Sequence, residues 1–162
     1  MEKLNWIREL VLAEQQMEDA GVVDMSAGFD PNRQLEEATF EFLNDLKAAF
    51  VEAASAFNSL KGSTLGQIRI YGISKTKADF MLFRNGYKLI FSIKQPGQVV
   101  VTHSTAGANY LPGQNATPAH EDYLQAAWGA FGQLIWTNNQ LQISLDHLVR
   151  FYMSRFVKDS AK

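Results

Sequence analysis

Ala78-Asp79-Phe80-Met81-Leu82-Phe83-Arg84-Asn85-Gly86-Tyr87-Lys88-Leu89-Ile90-Phe91-Ser92-Ile93-Lys94 decides the fold. Two apolar-rich runs flank Asn85-Gly86, and a two-residue type I′ turn needs positive φ at both central positions, which Asn and Gly tolerate best. Closing the hairpin there pairs Arg84 with Tyr87, Leu82 with Leu89, Phe80 with Phe91 and Ala78 with Ile93 on one face. The other face then carries Phe83–Lys88, Met81–Ile90, Asp79–Ser92 and Lys77–Lys94. The first face reads as core. The second is apolar in the middle and polar at its ends, whereas a sheet open to water on one side alternates more cleanly. A helix or a second subunit is therefore expected to cover it.

Outward from this hairpin, Gln95-Pro96-Gly97-Gln98 is a second turn, with Pro presetting φ and Gly supplying a positive φ. The strands are predicted at 66–73, 78–84, 87–94 and 99–104, a four-stranded antiparallel meander. Before it, Leu4 to Asp19 carries an amphipathic stripe, residues 21–29 read as a linker, and Asp30-Pro31 opens a long helix. Leu35, Phe42, Leu46, Ala49, Phe50, Ala53, Phe57 and Leu60 recur along that helix at helical spacing, and Gly62 stops it. After the meander, Thr117-Pro118 is predicted to start a third helix, with Glu121 and Asp122 in its first turn and an apolar face of Tyr123, Leu124, Ala127, Trp128, Phe131, Leu134 and Ile135. A last helix is predicted at about 141–158, with Leu141, Leu145, Leu148 and Tyr152 on one stripe. The fold class is α+β in the order α-α-β-β-β-β-α-α, a single domain over 1–162 in which 1–29 is a helical arm plus linker.

A chain of 162 residues, 46% hydrophobic and 20% charged, is large enough for one real core and too apolar for disorder. It has no cysteine, which excludes disulfides, thiolate metal sites and a cysteine nucleophile. With no apolar run of membrane-spanning length and no secretory leader at the start, the expected location is the cytoplasm. On that reading the glycosylation-like Asn115-Ala116-Thr117 is a chance match. The net charge of −2 hides an asymmetry: residues 1–52 carry twelve acids against four bases, and the rest carries five against eleven. Lys61, Arg69, Lys75, Lys77, Arg84, Lys88 and Lys94 face only one acid, Asp79, within their stretch. Complementarity between acidic helices and a basic sheet is the plainer explanation; a surface for an anionic partner is the alternative, with Lys77, Lys88, Lys94 and Arg84 as its candidate residues.

Catalytic patterns are scarce. There is no Gly-x-Ser-x-Gly elbow, no phosphate-binding Gly-rich loop and no His-Glu-x-x-His. On the helix predicted there, adjacent His120, Glu121 and Asp122 point about 100° apart and cannot close on one ion, so neither a metal nor a cofactor is predicted. His103 and His120 flank the long stretch 104–118, where Tyr110 and Leu111 form a central apolar pair. Loops of that length are usually functional, so Tyr110, Leu111, His103 and His120 are the candidate ligand- or partner-binding residues.

Asp79 opposite Ser92, with Lys94 next along, resembles the Asp…(Asp/Glu)-x-Lys layout of the restriction-endonuclease-like family. The resemblance implies two acids holding Mg²⁺ and a lysine assisting water, but Ser92 replaces the second acid. The aromatic and basic mixture on the sheet raises single-strand nucleic-acid binding, yet Phe80, Tyr87 and Phe91 fall on the core face and leave Phe83 as a thin platform. The sequence thus points to a non-enzymatic binding or regulatory protein acting through an apolar groove or a self-association surface, with a homodimer expected. An anion- or nucleic-acid-binding module comes second, and a degenerate nuclease-like domain third.

Overall fold

The computed structural model describes residues 4–23, 31–105 and 120–161. Helices α1 (Asn5–Ala20) and α2 (Pro31–Lys61) precede seven strands: β1 (Arg69–Gly72), β2 (Phe80–Arg84), β3 (Tyr87–Gln95), β4 (Gln98–Thr105), β5 (His120–Trp128), β6 (Leu134–Asn138) and β7 (Leu141–Gln142). Helix α3 (Leu145–Asp159) follows. The strands form one antiparallel sheet in sequence order. The fold is α+β.

Asn85 and Gly86 take φ of 51° and 83°, and β2 and β3 close in the register that this turn dictates. Phe80, Leu82, Leu89 and Phe91 consequently share one face and are fully buried. Gly97, at φ 85°, turns β3 into β4. Its N–H donates to Thr39 Oγ1 at 2.7 Å, so α2 holds this turn directly. Buried Thr39, Leu43, Leu46, Phe50 and Ala54 form the inner stripe of α2. Phe50 lies 6.1 Å from Phe80 and 5.0 Å from Phe91 between ring centroids, and Tyr152 of α3 meets Phe91 edge-on at 5.7 Å. Fully burying each such ring stabilises the fold by about 1.5–3 kcal/mol. Leu60, expected on this stripe, is exposed in the last turn of α2.

The predicted third helix is not there. Residues 120–128 and 134–138 are strands β5 and β6, and the sheet has seven strands rather than four. The apolar residues that suggested a helical face also fit a period of two, because Leu124 faces the core while Tyr123 pairs across from Val100 on the other side. Gly129 and Gly132, with Phe131 at φ 56°, turn the chain back, and the ladder amides of β4 bind β5. Phe131 ends fully exposed. Among the described residues the order is therefore α-α followed by seven strands and one helix. That helix starts at Leu145, with Ser144 as its N-cap, and Leu141 belongs to β7 and is exposed.

Ala78 lies outside the ladder expected for it, because β2 begins at Phe80. Asp79 caps the ladder instead: its Oδ1 accepts the Ile93 N–H at 3.0 Å. Arg84 faces the core and is 6% exposed. Its Nε donates to the Gly66 carbonyl at 2.7 Å, and its Nη1 donates to the Val157 carbonyl and Ser160 Oγ, each at 3.1 Å. The guanidinium also lies over the Phe57 ring. One side chain thus ties the start of the sheet to the end of α3. Arg84→Lys keeps the charge but cannot span these acceptors, and is expected to destabilise the protein by about 3 kcal/mol in urea unfolding.

Candidate functional site

The β4–β5 ladder places His103 directly opposite His120, with ring centroids 5.8 Å apart. Asp122 is two residues beyond His120 on the same strand, and strand alternation brings it to the same face. His120 Nε2 lies 3.2 Å from Asp122 Oδ1, and His103 Nε2 lies 3.8 Å from Asp122 Oδ2. Tyr152 of α3 donates its hydroxyl to the same Oδ2 at 2.9 Å, and its ring lies 5.8 Å from that of His103. Two strands and one helix therefore converge on one carboxylate. His120 is largely open to water, whereas Nε2 of His103 is buried without a hydrogen-bond partner.

The electrostatics follow from that burial. His103 is held below its ordinary 6.5, first by burial and then by the positive charge of Arg155; Asp122 and Asp159 pull the other way, and His120 adds to the depression. The Tyr152 hydroxyl is pushed well above its ordinary value by burial, by the Asp122 charge and by its bond to that carboxylate. The cluster thus holds a neutral imidazole and a neutral phenol beside Asp122.

Tyr152 also lines a groove of about 570 Å³ between the first turns of α3 and strands β5 to β7. Leu124, Ile143, Leu148, Phe151 and Tyr152 supply its apolar wall, and Asn138, Gln142, Ser144 and His147 its polar rim. Ser144 Oγ and His147 Nδ1 are 2.7 Å apart, and the same Oγ accepts the His147 N–H. This is helix capping with a side-chain reply, which explains the pair without a nucleophilic role.

Of the sequence candidates, the structure brings His103 and His120 together. Tyr110 and Leu111 lie outside the described residues. Arg84 is committed to the core contacts given above. Lys77 lies over the Phe40 ring at 5.0 Å and Lys94 over Tyr123 at 5.3 Å, while Lys88 pairs across from Phe83 on the outer face of the sheet. The four cations do not converge on one patch. Among the described residues, no group of three or more histidines and carboxylates is placed to hold a metal ion. Asp122 and Leu124 escaped sequence reasoning because residues 120–136 read as a helix, and the groove's rim escaped it because residues 141–144 read as the first turn of the last helix rather than as β7 and an N-cap. The usable signal was the two-residue spacing of His120 and Asp122, which on a strand means one face. No described helix is long and apolar enough to cross a membrane. No family model matches the chain, and no match is found among the curated proteins or the solved structures.

The two shifted groups of this cluster set opposite pH limits. The unfolded chain protonates His103 near 6.5 while the fold resists it, so this contribution to stability is complete above 6.5 and is lost as pH falls below it. Tyr152 stays neutral in the fold, while the unfolded phenol ionises near 10.0, so its contribution is lost as pH rises past that value. Urea midpoints measured against pH should show both limbs. His103→Gln is expected to flatten the acid limb and Tyr152→Phe the alkaline one.

Proposed function

We propose that the protein is a non-enzymatic, cytoplasmic binding protein that works as a homodimer, and that its groove takes a small, mainly apolar ligand with one polar end. The observation that carries this reading is the groove itself. Its size falls within the roughly 300–1,000 Å³ typical of small-molecule sites, and a predominantly apolar wall with a few polar groups is the usual composition. Tyr152 joins the groove to the Asp122 cluster, so a polar end bound there would meet a fixed hydrogen-bonding network. Partly exposed Phe151 supports ligand binding, because an aromatic wall open to water gains from being covered.

Titration with the fluorescent apolar anion anilinonaphthalene sulfonate tests the reading. Saturable one-to-one binding is expected in the folded protein, weakened about tenfold by Phe151→Asp, a change of about 1.4 kcal/mol. Gln142→Trp, at the rim, should also block it. Absence of saturable binding, or binding indifferent to both changes, would remove the groove as the site.

Nucleic-acid binding is the second reading and rests on Lys77, Lys88 and Lys94. Helix α2 packs on the core face, away from Lys88 and Lys94, so it does not shield them as the charge asymmetry suggests. Their dispersal, and the presence of Glu121 on their side of the sheet, argue against a continuous phosphate track. Fluorescence anisotropy with single-stranded DNA or RNA near physiological salt is expected to show no submicromolar binding. Tight binding that disappears on changing these three lysines to Glu would put the anion reading first.

A further inference from the structure

Helix α1 buries none of its residues, although it is amphipathic. Leu4, Trp6, Ile7, Leu10 and Val11 are each at least 39% exposed. Leu4, Ile7 and Val11 follow a three- and four-residue spacing that continues to Glu14 and Glu18, so one side of the helix is apolar at its start and acidic at its end. Asn5–Ala20 carries four acids and one base. Glu9, which is off that side, pairs with Arg33 at the start of α2 at 3.4 Å.

The sheet offers the complementary surface. On the face opposite the core, Tyr71, Met81, Ile90 and Thr102 form one row across β1 to β4, and Glu121 of β5 ends that row, which directs the acidic end of a docked helix toward β1. Met81, Ile90 and Thr102 are half-buried and Tyr71 is 43% exposed, so the row is only partly shielded. Arg69 and Lys88 stand in the neighbouring row, on either side of Phe83. An apolar strip with a basic flank thus matches a helix with an apolar side and an acidic end. The lengths agree as well: residues 4 to 14 of a helix rise about 15 Å, and four strands about 4.8 Å apart span about 14 Å between the outermost two.

We infer that α1 of one copy docks across the outer sheet face of a second copy, and that the exchange is reciprocal, giving a two-fold dimer. The inference rests on the homodimer proposed above and names its contact. Leu4, Ile7 and Val11 cover Met81 and Ile90, and Glu14 and Glu18 meet Arg69 and Lys88. A two-fold arrangement makes each contact twice, which closes the assembly and leaves no repeating surface for a filament.

Sedimentation equilibrium at micromolar concentration reads the assembly, and a dimer of twice 18.2 kDa is expected. Ile7→Glu with Val11→Glu should give the 18.2 kDa species, still folded and with the urea midpoint that the wild-type chain shows when diluted to monomer, since α1 contributes nothing buried to the core. Reversing charge at Glu14 and Glu18 to Lys, or at Arg69 and Lys88 to Glu, should each raise the dissociation constant about tenfold or more. Mixing the two charge-reversed chains should restore association, because each then meets its complement. A wild-type chain found only at 18.2 kDa overturns both the homodimer and this contact. A dimer that survives the α1 changes, or that responds to them but not to Arg69 and Lys88, overturns this contact and leaves self-association standing.

Discussion

Register in an antiparallel pair is discrete: a slip of one residue carries every side chain to the opposite face. Here it is held by positive φ at Asn85 and Gly86, and the consequences run through the whole sheet. Phe80 and Phe91 come side by side, which gives Phe50 of α2 two rings to lie against and Tyr152 of α3 an edge to meet. The same register passes from Leu89 to His103 across β4 and from His103 to His120 across β5. This turn makes the core face of the hairpin apolar, and the separate β3–β4 and β4–β5 ladders set the two imidazoles opposite each other at its border. Thr39 fastens the next turn to α2 and Arg84 fastens the opposite end of the hairpin to α3, so the helices lock the register from both ends.

The polar cluster stands out against that core. A buried imidazole nitrogen without a partner costs about 1–3 kcal/mol, and an aliphatic residue at position 103 would avoid the cost. The fold bears it next to the groove, where Tyr152 belongs to both. Departures from apolar consistency concentrate at functional sites because binding needs polar groups that stability alone would exclude. Asp122 is the hub, since it meets His103, His120 and Tyr152 from three different elements.

Much of this was legible. Asn85-Gly86 implied eight cross-strand pairs, and five of them stand in the ladder; Ala78–Ile93, Asp79–Ser92 and Lys77–Lys94 fall outside it because β2 begins at Phe80, where the Asp79 carboxylate accepts the Ile93 N–H. Helix α2 was legible because its stripe runs without interruption from Asp30-Pro31 to Gly62. The stretch from 120 to 136 was not, and the reason is physical. Leu124, Trp128, Phe131 and Ile135 are spaced as a helix would space them, yet Leu124 and Trp128 belong to β5, Ile135 belongs to β6, and Phe131, which completed the apparent helical face, lies exposed in the turn between them. Periodicity cannot separate two short strands joined by a tight turn from one helix when both glycines of the turn also fall within the pattern. The histidine pair was foreseen only as two residues flanking a loop. Its partner Asp122 became visible once the strand assignment put His120 and Asp122 on one side.

The charge asymmetry of the sequence resolves into the two faces of the sheet. The acidic amino-terminal half includes α2, but α2 lies against the core face, and the bases of β1 and β3 point the other way. Complementarity within one sheet face therefore does not account for the imbalance. On the outer face, Lys94 lies over the ring of Tyr123, and Val100, which pairs across from Tyr123, is buried, so this part of the apolar centre is shielded. Met81 and Ile90 lie farther from that cover and stay half-exposed. A sheet face with apolar residues at its middle and cations around them is built to meet an amphipathic, acidic surface, and α1 is the described element of that character. Its exposed stripe and the incompletely covered row of the sheet are two halves of one unbalanced hydrophobic account, and the charges set beside each decide which surfaces can bring them together.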